Sequence, residues 1–165
     1  LVTFVTMYID HIKEYQMIQS LIRQVPAVDP ITTVVLNVSP DYSSSISMHM
    51  AHHLSVGGKM LDMFPVDVPF PKESKESYEN LFRKSSAFFP KVYDKVILCE
   101  AAVLSGNNYI WIKQVLLDLG YKNDQIITTS LIEMTTSVFN CDYVAEYSTK
   151  MPEFYYERYN KHWDA

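Results

Sequence analysis

The apolar positions of this chain change period several times, and each change marks an element. Ile9, Ile12, Ile18, Leu21, Ile22 and Val25 recur at helical spacing, which predicts an amphipathic helix over residues 8–25, ended by Pro26 and Pro30. Residues 32–38 (TTVVLNV) form a β-branched, apolar run that suits a central parallel strand. A polar loop is expected at 39–45, with Ser43, Ser44 and Ser45 able to cap a helix that runs to Leu54 and turns Ile46, Met50 and Leu54 inward. Gly57-Gly58 breaks that helix, and residues 59–64 read as a second strand running into Pro65, Pro69 and Pro71. Residues 72–86 are polar around Tyr78, Leu81 and Phe82, and predict a short surface helix or a mobile excursion. A third strand is expected at 96–99. Tyr109, Ile112, Leu116 and Leu119 then mark the inner stripe of a helix that Gly120 can close. Residues 125–132 read as a fourth strand, 142–147 alternate as an edge strand, and the aromatic tail at 153–163 is expected to fold back over the domain.

Strands alternating with helices argue for an α/β fold, an open and mostly parallel sheet with helices on both faces, in a single domain covering residues 1–165. With 48% hydrophobic and 20% charged residues the chain is expected to be globular rather than disordered. No apolar run approaches a membrane span, and residues 1–8 lack the charged start of a signal peptide, so no membrane partner is expected. A net charge of −5 without a basic run disfavours nucleic acid. Cys99 and Cys141 do not make a disulfide framework, which fits a reduced, cytoplasmic setting.

The chemistry-bearing stretch is 95–109, KVILCEAAVLSGNNY. An apolar strand delivers Glu100 to its end, a short loop closes on Ser105-Gly106, and a helix begins near Asn108. The carboxyl ends of strands, beside helix N-termini, are where open α/β sheets bind ligands. The backbone of residues 100–108 is therefore expected to form a solvent-open cup whose amides converge on an anion.

This order of strand, acid, loop, Ser-Gly and helix resembles the ribose-phosphate signature of type I phosphoribosyltransferases, and the order of elements over residues 8–163 resembles that family too. The resemblance implies that Glu100 takes the ribose hydroxyls, with Ala101 standing where the family has a second acid. It implies that Leu104, Ser105, Gly106, Asn107 and Asn108 hold a 5′-phosphate, Ser105-Gly106 replacing Thr-Gly. Ser39, Tyr42 and Ser43 become candidates for contact with pyrophosphate. Their segment has no lysine or arginine, and its Asp41 would repel pyrophosphate unless magnesium lay between. The expected function is a phosphoribosyltransferase-like protein with a degraded catalytic motif, binding a nucleotide or sugar phosphate or acting through protein contacts. The alternative is an active nucleobase phosphoribosyltransferase using phosphoribosyl pyrophosphate and magnesium. Family resemblance and the aromatic tail also make a homodimer an expectation.

Plainer roles stand beside these. Glu100 can be a solvated strand-end acid, Ser105-Gly106 an ordinary helix entry, and the serines at 43–45 caps. His49 and His53 lie four apart and could converge on one metal ion. With no third ligand evident, a structural histidine or an exposed pair is the favoured reading. Cys99 reads as core. The eight methionines read as core filler, and Tyr155, Tyr156, Tyr159 and Trp163 as packing rather than base stacking.

Overall fold

The computed structural model describes residues 5–67, 74–84 and 93–160. In chain order the elements are β1 (Thr6–Ile9), α1 (His11–Gln24), β2 (Thr33–Val38), α2 (Pro40–His53), β3 (Asp62–Val66), α3 (Lys75–Lys84), β4 (Lys95–Val103), α4 (Asn107–Asp118), β5 (Ile126–Met134), β6 (Tyr143–Ser148), β7 (Met151–Phe154) and α5 (Tyr155–Asn160). Five strands form a parallel sheet in the order β3-β2-β4-β5-β6, and β1 pairs in parallel with β7 as a separate two-stranded sheet. The expected edge strand is β6, at the sheet's margin.

Burial on both faces explains why β2 and β4 read as continuous apolar runs. Val35, Ile97, Cys99 and Ala101 pack under α1 and α2 with Ile18, Leu21, Ile46 and Met50. Val34, Leu36, Val96 and Leu98 pack on the other face under α3 and α4 with Tyr78, Tyr109, Ile112 and Leu116. The expected helices-on-both-faces architecture is what the chain adopts. Two residues assigned to inner stripes face solvent instead: Ile12 is 57% exposed and Leu119 also 57%. Among the described residues no helix is long and apolar enough to cross a membrane.

Several element boundaries differ from the sequence reading. Residues 8 and 9, expected in the first helix, belong to β1, and α1 begins at His11 after the Asp10 N-cap. The segment 39–45 is not a loop, because α2 starts at Pro40, whose fixed φ suits a first helical turn. Its N-cap is Ser39, in the left-handed region at φ 54°, and it makes no side-chain cap. The second strand begins at Asp62, since residues 56–59 close a tight turn over Gly57-Gly58 with Lys59 N–H donating to Val56 O. It runs through Pro65, which is tolerated on an edge strand. Most important for the site, β4 continues to Val103 rather than ending at Cys99, because β5 runs alongside it with Ala102 opposite Ile132 and Val103 opposite Glu133.

The β5–β6 connection also bears on the site. Parallel neighbours normally need a crossover of about a dozen residues or more, usually helical. Here residues 135–142 make the return without a helix. Two carboxylates hold that return: buried Glu133 accepts Cys141 N–H at 2.8 Å, and Asp142 accepts both Thr128 N–H at 2.8 Å and its hydroxyl at 2.9 Å.

Candidate functional site

β2 stops at Val38 and its last partner on β4 is Cys99, so residues 100–103 overhang the sheet on that side. The overhang leaves backbone groups without a strand partner. Ser43, on the first turns of α2 and fully buried, fills one gap: its hydroxyl accepts Ala101 N–H at 2.9 Å. The side chain expected to meet pyrophosphate thus fastens α2 to β4.

Above the overhang lies a cleft of about 440 Å³. Its floor is Glu100, Ala101, Ala102 and Leu104, and one wall is Ser39, Tyr42 and Ser43 of the α2 entry. The opposite wall is Thr6 of β1, Met151, Pro152, Glu153 and Phe154 of β7, and Glu157 of α5. The two-stranded sheet is therefore a hood over the carboxyl edge of the main sheet. Glu100, Glu153 and Glu157 bring carboxylates to this lining, which contains no lysine, arginine or histidine among the described residues.

Glu100 is a buried acid inside a strand, not a solvated group at its end. Its Oε1 accepts the Ser39 hydroxyl at 3.3 Å and Asn108 Nδ2 at 3.4 Å. Asn108 in turn accepts the hydroxyl of fully buried Tyr78 at 2.7 Å, which links α3 to the acid. Ser39 N–H donates to Val66 O at 3.1 Å, so its left-handed backbone is held by the end of β3. The side chain of Asp41 lies outside the described residues.

The five residues assigned to a phosphate divide into two groups. Leu104, 42% exposed, lines the cleft. Ser105, Gly106, Asn107 and Asn108 are not part of its lining: Ser105 and Gly106 lead into α4, and Asn108 reaches back to Glu100 on the floor. Gly106 has φ 87°, and a Cβ there would lie 2.5 Å from Phe139 Cβ and 2.6 Å from Ser137 Oγ. Val138 N–H donates to Ser105 O at 3.0 Å, which clamps the turn against the 135–142 return. The turn keeps an exposed side: Ser105 and Asn107 face solvent, and Gly106 at the N-cap position of α4 has no side chain to cap the helix. That end of α4 carries the partial positive charge of its N–H groups.

The hood was the part that sequence reasoning missed. β1 and β7 are four residues each, too short for a period to register, and they pair across nearly the whole chain. Its anchor is Tyr156, which stacks on Phe154 at 5.3 Å and donates its hydroxyl to Tyr42 O at 2.9 Å. Burial, reinforced by the Glu14 carboxylate, pushes the Tyr156 phenol up and keeps it protonated as a donor. Tyr155 packs edge-on against His11. Trp163 and the Tyr159 side chain lie outside the described residues. Cys99 is fully buried, and burial pushes its thiol up to about 12, which suits core and not a nucleophile.

No protein-family model matches this sequence, and no curated protein matches it significantly. Solved structures do match its shape. The xanthine-guanine-hypoxanthine phosphoribosyltransferase of Helicobacter pylori superposes with a TM-score of 0.65 over 98% of this chain and 99% of that one, at 13% identity. The chain has the type I phosphoribosyltransferase fold. A purine phosphoribosyltransferase from Pyrococcus horikoshii shares that fold with a TM-score of 0.63 over 90% of this chain and 92% of its own, at 14% identity. So does a Neisseria gonorrhoeae protein with bound ppGpp, with a TM-score of 0.64 over 98% and 97% of the two chains at 8% identity. At such identities the likeness reaches the phosphoribosyltransferase fold and stops short of the chemistry.

Proposed function

We propose that this chain is a phosphoribosyltransferase-fold protein with a degraded catalytic motif, which binds a phosphorylated sugar or a nucleotide at the carboxyl edge of its sheet. The observation that carries the reading is the composition of the cleft floor and walls. Glu100 is present, its neighbour is Ala101, and no cationic side chain lines the cleft among the described residues.

Each part of that composition has a consequence. A carboxylate at Glu100 accepts hydrogen bonds from sugar hydroxyls. Removing a second acid from such a pair costs binding about 1–3 kcal/mol, which weakens a complex without abolishing it. Group transfer from phosphoribosyl pyrophosphate builds positive charge on the ribose and negative charge on the leaving pyrophosphate, and both need fixed electrostatic support. Among the described residues, the lining offers one acid for the ribose and no cation for the leaving group. Glu153 and Glu157 on the hood repel a phosphate and favour hydroxyl and N–H donors. The phosphate of the ligand would accordingly point away from the hood, toward Leu104 and the start of α4, where the Ser105 hydroxyl, which accepts Asn107 N–H at 3.3 Å, and the remaining first-turn N–H groups can meet it. Ser39 and Tyr42 would flank the sugar, while Ser43 holds the floor in shape.

Magnesium, which the resemblance implies, finds no cage of its own: among the described residues no three histidine, cysteine, aspartate or glutamate side chains group to hold an ion. It would enter with the phosphates of the ligand and supply charge neutralisation there. The bound ppGpp in the Neisseria gonorrhoeae structure lends support to a phosphorylated nucleotide as ligand class.

Calorimetry with nucleoside monophosphates and phosphoribosyl pyrophosphate, with and without magnesium, tests the binding claim. A pyrophosphate-release assay over a panel of nucleobases tests the claim about catalysis. The reading expects heat of binding and no pyrophosphate. Magnesium-dependent release with any base would make the chain an active nucleobase phosphoribosyltransferase. A silent titration would remove the ligand and leave the fold as a surface for protein contacts.

A further inference from the structure

The cleft does not use the histidines of α2. His49 and His53 sit one helical turn apart, with ring centroids 6.3 Å from each other and planes tilted by 50°. We propose that these two imidazoles form a bidentate chelate for a late first-row divalent ion, copper, nickel or zinc, at a surface site separate from the cleft.

Residues at i and i+4 are neighbours on a helix surface, so both side chains can reach one point above it. A metal–imidazole bond is about 2.0–2.1 Å, and the ring nitrogen lies about 1.2 Å from the centroid, so two rings on one ion have centroids at most about 6.5 Å apart. The observed spacing falls inside that limit. Closing it by about 1 Å, through rotation of the exposed His53 side chain, brings the pair to a tetrahedral angle. His53 is exposed and His49 half-buried, so the pair is open to an incoming ion.

The rings are also available. Neither His49 nor His53 makes a hydrogen bond or ion pair with any described residue, so their nitrogens meet solvent. Tyr15 of α1 lies edge-on against His49 at 6.0 Å and limits how that ring can turn. His52 also lies near His53, with centroids 6.0 Å apart, but it leaves the helix about 100° round from His53, so the i, i+4 pair is the one that shares a face.

With only two protein ligands the remaining coordination positions belong to water or to donors from elsewhere. Such a site exchanges its ion readily, unlike the closed four-ligand sites that hold structural zinc. Imidazole selects copper, nickel and zinc over magnesium, which prefers oxygen.

The test is calorimetry of the whole chain with copper, nickel, zinc and magnesium chlorides in a non-chelating buffer. One site is expected, tighter for copper than for nickel, with no magnesium heat attributable to it. His49→Ala and His53→Ala are each expected to weaken copper binding by about tenfold or more, while His52→Ala changes it less than about threefold. Electron paramagnetic resonance of the copper complex adds an independent reading: coupling to two imidazole nitrogens in the parent chain and to one in either single variant. Equal copper affinity in all three variants, loss in His52→Ala alone, or no copper site at all would overturn the proposal.

Discussion

Residues 100–104 and 105–108 are adjacent in sequence and belong to one motif, yet the structure gives them different work. Of the first five, Glu100, Ala101, Ala102 and Leu104 floor a cleft, while Val103 packs into the core on the other face. The next four form a joint: Gly106 is pressed against Phe139 and Ser137, and Asn108 is bonded to Tyr78 on one side and Glu100 on the other. The difference arises from what lies opposite each half. β2 ends early and leaves the floor uncovered, while the 135–142 return packs directly onto the turn. A motif read as one functional unit can therefore combine a surface for a ligand with a structural hinge-pin, and mutations in the two halves should fail in different ways.

The largest effect is expected at the joint. Gly106→Ala combines a strained left-handed backbone with a Cβ 2.8 Å from Phe139 N, and should destabilise the chain by about 3–5 kcal/mol in urea denaturation. Gly57→Ala is the control, with a similar positive φ of 62° and nothing within 4 Å, and should cost about 1 kcal/mol. Equal losses would mean that the 135–142 return does not press on the Gly106 turn.

Ser43→Ala comes next. It strips the buried Ala101 N–H of its acceptor and should cost about 1–3 kcal/mol of stability. A change within experimental error would mean that the floor is not fastened to α2 in this way.

Glu100→Gln should act mainly on binding. Loss of about tenfold in nucleotide affinity, about 1.4 kcal/mol, is expected with stability changed by less than that. If denaturation midpoints fall and affinity does not, Glu100 belongs with the joint.

Glu14 offers the smallest effect and a contrasting carboxylate, on the buried face of α1 and outside the cleft lining. Burial raises its pKa, against the lowering influence of the Ser45 hydroxyl. The folded chain therefore holds this proton to higher pH than the unfolded chain does. Stability from this group is fully present below the ordinary value of 4.5 and declines as pH rises through the raised value. Glu14→Gln should accordingly be more stable than the parent at pH 7, with the gap closing below about pH 4.5. A gap independent of pH would place the effect in packing.

How much of this was legible in the sequence follows from the length scale of each interaction. The periods of α1, β2, α4 and β5 are set by burial on a sheet, a local and repeating demand, and the residues carry it openly. The order of elements was enough to indicate the phosphoribosyltransferase fold. The extension of β4 to Val103 was not, because Ala101 and Ala102 carry no strand signal, and their conformation is imposed by β5. Nor was the helical state of 40–45, where a run of serines reads as loop and the start is set by Ser39 tied to Val66. The hood depends on β1 meeting β7 from opposite ends of the chain, which no window of sequence contains. Within the candidate site, Glu100, Leu104, Ser39, Tyr42 and Ser43 were named from sequence and line one cleft, while Glu153 and Glu157 were not named because their position depends on the hood.

The central claim is that a phosphorylated ligand occupies this cleft with its phosphate at the start of α4. A ¹H–¹⁵N titration of the labelled chain with a nucleoside monophosphate reads it most directly. The account predicts saturable shifts in the amides of residues 39–43, 100–104 and 105–108, with those around His49 and His53 unmoved. Shifts confined to other surfaces, or none at millimolar ligand, would contradict it.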